Sequence, residues 1–191
     1  MRTKKSAPLG SGFFYIVELK EGYIPEPSAL EALCTDENKA GETTGGAKLS
    51  YSADVHKEKD DHGRVIRIIT SDEEVKLGGG IFTWEPGYLE KLAATARAFE
   101  KDGYKGIKLG GLNNDNGKRY IVIFKQIDPK EGDLFVAIVG TNTAGINITF
   151  SRTATSKLEP EFTGEPCDEE GTLAILFEKV TGQQAEPQGE E

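Results

Sequence analysis

The two histidines of this chain fall close together in "HKEKDDHGR", with Asp60 and Asp61 between His56 and His62. Imidazole and carboxylate together suit several divalent metals. Here, however, the carboxylates are adjacent and the whole stretch is polar, which fits the solvated tip of a hairpin better than a ligand shell. "NNDNGK" (Asn113–Lys118) has the Asp/Asn/Gly character of a calcium loop, but its Gly stands fifth rather than sixth and no Glu closes the motif. It reads as a turn joining two strands. "LGGGIF" (Leu77–Phe82) lacks the Lys-Ser/Thr pair of a phosphate loop and reads as a sharp bend before Thr83 and Trp84. Cys167 sits in an acidic turn, where Glu165, Asp168, Glu169 and Glu170 disfavour the thiolate a nucleophile needs. Cys34 lies in another context and forms no CxxC pair with it, so two reduced thiols are expected rather than a disulfide. "NIT" at Asn147 matches a glycosylation acceptor, a reading that requires a secreted chain. No catalytic, cofactor-binding or metal-binding residue emerges, and no enzyme is expected.

Composition narrows the classes further. The 191 residues are long enough to bury a core without disulfide or metal support. A hydrophobic fraction of 37% and a charged fraction of 29% describe a globular protein with a wet surface. The net charge of -9 opposes binding to nucleic-acid phosphates, which calls for a basic patch. "MRTKK" is followed by "SAPLGSG" rather than an apolar stretch, so no signal peptide is expected. No run approaches the roughly 18 apolar residues of a membrane helix. The chain is expected to be made and folded inside a cell.

The elements that would position these residues are mostly strands. "AKLSYSADVHK" alternates, with Leu49, Tyr51, Ala53 and Val55 on the inward side; "INITFS" (Ile146, Ile148, Phe150) and "TLAILFE" (Leu173, Ile175, Phe177) do the same. Further strands are expected at Phe13–Leu19, Arg64–Thr70, Glu73–Leu77 and Glu161–Glu165. "YIVIF" (Tyr120–Phe124) and "LFVAIV" (Leu134–Val139) are apolar at every position, so both of their faces need cover. One helix, "PGYLEKLAATARAFEK" from Pro86 to Lys101, offers it, with Leu89, Leu92, Ala93, Ala96 and Phe99 on one stripe and Gly103 as the stop. Since one helix covers a sheet face only in part, an oligomer is expected to cover the rest. The organisation is a single β domain over residues 13–180, between a flexible N-terminus (1–12) and a flexible tail (181–191). Residues 20–46 form an extended loop or arm, soft like His56–Arg64.

In order, "SYSADVHKEKDDHGRVIR", "GGGIFTWEPGYLEKLAATAR", "GGLNNDNGKRYIVIF", "DPKEGDLFVAIVGTNTAGINITFS" and "LEPEFTGEPCDEEGTLAIL" resemble the major tail tube proteins of long-tailed bacteriophages. The closing strand, acidic turn and last strand, Cys167 to Leu173 at their centre, carry the likeness most strongly. It spans Lys48 to Val180. The resemblance implies an antiparallel β-sandwich or partial β-barrel with one flanking α-helix. Six subunits would form a ring, and rings would stack into a tube whose lumen conducts the genome during ejection. Partners would be other copies of the chain, a tape-measure protein and other tail proteins, with DNA passing through unbound and no membrane involved. The place would be the virion tail, and the host cytoplasm during assembly. An acidic lumen would repel phosphates. The alternatives are another ring-forming part, such as a distal-tail or tail-terminator ring or the tube of a bacteriocin or secretion particle, and, from a different class, a ligand-binding β-barrel.

Overall fold

A computed structural model of the chain describes residues 12–20, 22, 24–81, 86–128, 132–148, 152 and 156–179. The fold is mainly β and antiparallel. Its elements are β1 (Gly12–Glu18), α1 (Pro27–Ala32), β2 (Lys39–Lys59), β3 (Val65–Ile81), α2 (Pro86–Leu89), β4 (Arg97–Lys101), β5 (Tyr104–Lys108), β6 (Tyr120–Gln126), β7 (Leu134–Asn142), β8 (Glu161–Glu165) and β9 (Ile175–Glu178). Short 3-10 turns occupy Asp36–Asn38 and Leu112–Asn114. Seven strands make one sheet in the order β6-β1-β2-β3-β8-β7-β9, and β7 also pairs with β6. The sheet therefore rolls back on itself, but its seam is short: β8 holds β3 over Lys76–Gly78 only. It is no regular closed barrel. β4 and β5 form a separate two-stranded sheet.

The apolar strands organise everything around them. Registered rows cross three strands: Phe14, Phe124 and Val136 in one, Tyr15, Ile123 and Ala137 in the next. Because side chains alternate faces along a strand, these rows feed two cores. The first holds Phe14, Ile16, Val122, Phe124 and Ile138, closed by Leu77, Ile81, Leu158 and Phe162 and by Tyr88, Leu89 and Leu92. The second holds Tyr15, Ile121, Ile123, Phe135, Ala137 and Val139, capped by Leu30 and Cys167 and by half-buried Ile24, Leu33 and Phe177. Phe177 stacks on Phe135 at 4.8 Å between ring centroids.

Both faces of β6 and β7 are thus covered from within the chain. The expectation that a second molecule must cover one of them is overturned. The cover comes from residues 20–46, which were expected to be an extended loop or arm. Instead this stretch forms α1, with Pro27 at its start and Leu30 fully buried, and then enters β2 at Lys39. One apolar residue per turn, in a largely polar segment, is enough to dock it.

The expected helix from Pro86 to Lys101 is also corrected. α2 stops at Leu89, and Arg97–Lys101 is β4. The reason lies just beyond: Asp102 and Gly103 both take positive φ, 54° and 80°, the backbone of a two-residue type I′ hairpin turn. Gly103 turns a hairpin rather than ending a helix. Across that hairpin the Phe99 ring lies over Gly106, where a Cβ would come within 2.6 Å of the ring. Leu89, Leu92 and Ala96 are buried as the apolar stripe required, but Phe99 is 40% exposed. Among the described residues no helix exceeds the six residues of α1.

Two smaller corrections follow from close approach and from cover. Gly78–Gly80 make no sharp bend; they lie inside β3, where a Cβ at Gly78 would meet the Pro160 carbonyl at 2.9 Å. Ile146–Ile148 pack against the first core without strand pairing, and the remainder of "INITFS" lies outside the described residues. So do residues 1–11 and 181–191, where flexible ends were expected. Gly12, assigned to the flexible end, already pairs with Gln126.

Removing the one fully buried anchor of α1 leaves a cavity. Leu30→Ala is expected to cost about 2–5 kcal/mol in urea unfolding. Phe99→Ala should cost far less, since its ring is part exposed. Equal losses at the two positions would refute this assignment of cores.

Candidate functional site

The residues with chemical potential are placed in structural roles. His56 stands in the β2–β3 ladder opposite Ile69, and His62 lies in the connecting tip. Between them, Asp60 is committed to the turn. One carboxylate oxygen accepts the backbone N–H groups of His62 at 3.0 Å and Arg64 at 2.8 Å, and the other pairs with the Arg64 guanidinium at 2.8 Å. The Arg64 backbone bond is the first cause holding the Asp60 carboxyl below its ordinary range. The solvated hairpin tip expected at His56–Arg64 is what the structure contains. Among the described residues no group of three His, Cys, Asp or Glu side chains is placed to hold a metal. "NNDNGK" is a turn of two successive side-chain caps, Asp115 accepting from the Gly117 N–H and Asn116 from that of Lys118, each at 2.9 Å. It leads from β5 into β6.

The acidic closing turn is built in the same way. Asp168 accepts the backbone N–H groups of Glu170 at 3.0 Å and Thr172 at 2.9 Å, while the Cys167 N–H donates to the Thr172 carbonyl at 2.8 Å. Hydrogen bonds from Thr172, its side chain first, hold the Asp168 carboxyl below its usual value. The Cys167 carbonyl accepts from the Ile24 N–H at 3.0 Å, which ties this turn to the segment carrying α1. The turn thus positions β9 and seals the second core.

Both thiols are free and both touch that core. Burial pushes the Cys34 thiol up to about 11. Cys167 is raised too, by burial first and Asp168 second. The acidic neighbours were expected to lead there; desolvation outweighs them because Cys167 is almost fully buried. Neither cysteine has the thiolate character of a nucleophile.

What remains is a surface. Beyond Leu49 and Leu77, strands β2 and β3 leave the body as a two-stranded ribbon, about 30 Å long over Tyr51–Asp60 at the rise of an extended strand. Its root is buried at Val75 and Leu77, yet Tyr51, Val55, Val65, Ile66 and Ile68 are 47 to 66% exposed. Tyr51 and Val55 alternate as expected, but no part of the described chain covers them. Opposite partners Val55–Thr70, Lys57–Ile68 and Lys59–Val65 share a face, which places Val55, Val65 and Ile68 together with Lys57 and Lys59. A bulge where Asp72 adopts φ 52° faces Ser52–Asp54 and re-aims the ribbon as it leaves the sheet. A second projecting element, the β4–β5 hairpin, escaped the sequence reading, although Asp102-Gly103 is its signal. It exposes Tyr104, and Leu109 and Leu112 follow it.

The body also carries clefts. A cavity of about 420 Å³ at the ribbon root is walled mainly by Gly45–Ala47, Gly78–Gly80 and Pro160. In the cleft beside α2, Arg119 pairs with Glu165 at 2.6 Å and Lys91 donates to the Ile16 carbonyl at 3.0 Å. Among the described residues no helix is long and apolar enough to cross a membrane. Compared with known proteins, the chain matches no family model and no curated protein.

Two outcomes check these roles. Native Cys34, half-buried, and Cys167, buried, should both react with a thiol reagent at neutral pH more slowly than free cysteine, and at ordinary speed after unfolding; rapid native labelling would contradict that placement. Asp168, held below 3.8 in the folded state, contributes stability that is complete above that value and is lost as pH falls through the folded pKa. Asp168→Ala should therefore melt earlier than wild type at neutral pH, with the gap closing well below 3.8. A gap that persists in acid would show that the cap is not the cause.

Proposed function

We propose that the protein is a structural subunit that assembles with copies of itself, and specifically a tail tube subunit whose stacked rings form the channel for a bacteriophage genome. The observation that carries this reading is the β2–β3 ribbon. A two-stranded ribbon is marginal alone in water, and this one presents five large apolar side chains to solvent. Such a patch is the mark of a contact surface. An arm projecting from a β body can reach from one ring of a stack to the next.

Three further features support the proposal. The body is mainly β and antiparallel, and its rolled pairing supports the partial barrel that the resemblance calls for. The polar motifs serve as turns and caps, which leaves them no part in a reaction. The net charge of -9 would keep a channel built from this chain from binding the DNA it conducts. Tape-measure and other tail proteins would be the further partners, and the virion tail the place.

The purified protein should form rings or tubes by electron microscopy, growing with concentration in sedimentation. Ile66→Asp combined with Ile68→Asp should leave a folded subunit that no longer stacks. A wild type that remains strictly monomeric at high concentration, with no rings or tubes, overturns the proposal. Isolated rings that never stack would point to a tail-end ring instead.

A further inference from the structure

The β4–β5 hairpin pairs with no strand of the large sheet, and its two faces differ in chemistry. The register sets Arg97 opposite Lys108, Phe99 opposite Gly106 and Lys101 opposite Tyr104. Because side chains alternate along a strand, these six positions share one face. The pairs Ala98–Ile107 and Glu100–Lys105 make the other. Ile107 packs against the first core, so the six-residue face is the one turned away from the body. Its side chains are exposed, Tyr104 at 74% and Phe99 at 40%. Each of them is basic or aromatic, in a chain of net charge -9. The carboxylates of the hairpin lie elsewhere. Glu100 pairs with Lys105 at 3.6 Å on the other face, and Asp102 is in the turn.

We propose that this face binds single-stranded nucleic acid, with Arg97, Lys101 and Lys108 on phosphates and Tyr104 and Phe99 under unstacked nucleobases. Two arguments lead there. Like charges directly opposite each other weaken a strand pair, and Arg97 stands opposite Lys108 with no carboxylate of the hairpin on their face. A bond from Arg97 to the Gly110 carbonyl at 3.1 Å orients the guanidinium without neutralising it. A phosphate between the two cations would offset their repulsion. The rings supply the second argument. Phe99 lies on Gly106, where a Cβ would come within 2.6 Å of the ring, and Lys108 stands 5.6 Å from its centroid. Cations interleaved with rings suit a polymer in which phosphate and base alternate, as in single-strand platforms. An acidic protein surface would engage the cations and leave the rings without a stacking partner. In a duplex the bases stack on one another, so a conducted duplex meets the cations alone. The proposal therefore stands apart from the self-assembly reading.

The probe is a fluorescently labelled oligo-dT of about ten nucleotides, within the usual span of such sites. At low salt wild type should raise its anisotropy, bind it more tightly than a duplex of equal length, and release it as salt rises. Tyr104→Ala should weaken binding about fivefold or more. Lys101→Gln should lower the slope of log affinity against log salt by about 0.7, the share of one single-strand phosphate. Lys105→Gln removes the same charge from the opposite face and should leave that slope unchanged. All three positions are exposed, and unaltered melting of each variant checks the fold. Absence of oligo-dT binding at low salt overturns the proposal. Equal losses in Lys101→Gln and Lys105→Gln overturn it too, as does binding indifferent to Tyr104→Ala, since either marks diffuse charge attraction. If no oligonucleotide binds but Lys101→Gln and Tyr104→Ala impair assembly, the face belongs to an acidic surface of a second copy instead. A strict monomer that binds oligo-dT as described upholds the platform and removes only the self-assembly reading.

Discussion

The antiparallel pairing of β6 with β7, apolar on both faces over Tyr120–Phe124 and Leu134–Val139, is the constraint on which the rest of this structure depends. A strand pair that must be dry on both sides is a wall between two cores. Every other element then has a definite duty. β1 extends the wall; β3, β8 and α2 close one side, while α1, the closing turn and β9 close the other. At roughly 25 cal/mol for each Å² of apolar area withdrawn from water, burial of this kind is the term large enough to oppose chain entropy. This explains why polar and Gly-rich segments such as Lys20–Gly46 are drawn in. Leu30 alone gains what an exposed leucine lacks, and the backbone bond from Ile24 to Cys167 fixes where it lands.

Period and length made much of this legible before any coordinates. β1, β6, β7 and β8 announce themselves through continuous or alternating apolar runs, and the demand for cover on both faces of β6 and β7 follows from side-chain alternation. The source of the cover does not follow. A sequence states that a face must be dry, but not which segment, or which molecule, lies on it. α1 was missed because a six-residue helix with a single buried residue has no periodicity to detect. The stretch from Pro86 to Lys101 shows the opposite failure. Leu89, Leu92 and Ala96 are spaced as a helix stripe and are buried, yet they reach the core through turns. There the local turn chemistry of Asp102-Gly103 prevails over a short stripe of alanines, because the hairpin lets Phe99 cover Gly106.

The turns were legible from residue type. His56, His62, Asp60, Cys167 and the "NNDNG" run were each read as turn or cap residues, and the hydrogen bonds of Asp60, Asp115, Asn116 and Asp168 give those readings a mechanism. The surface was half legible. Alternation along β2 marks Tyr51 and Val55 as one side of a strand, but it cannot show that the body ends at Leu49 and Leu77 while the strands continue. An apolar side chain in a strand is assigned to a core by habit. Here the register carries it past the core into water.

A ribbon of that kind poses a physical problem, because an open apolar edge invites pairing with any other strand. The distribution of charge answers it. Lys57, Lys59 and Arg67 lie among the exposed apolar residues, where they oppose indiscriminate edge-to-edge association. At longer range the net charge of -9 makes two copies repel on average. That repulsion is screened within about 8 Å at physiological ionic strength, so it acts weakly on encounter and strongly only between surfaces already in contact. A wrong contact therefore meets like charge at close range. A contact that sets carboxylates against Lys57 and Lys59 around an apolar centre does not. Solubility of the separate chain and selectivity of its docking thus come from the same charges, placed around the same few exposed side chains.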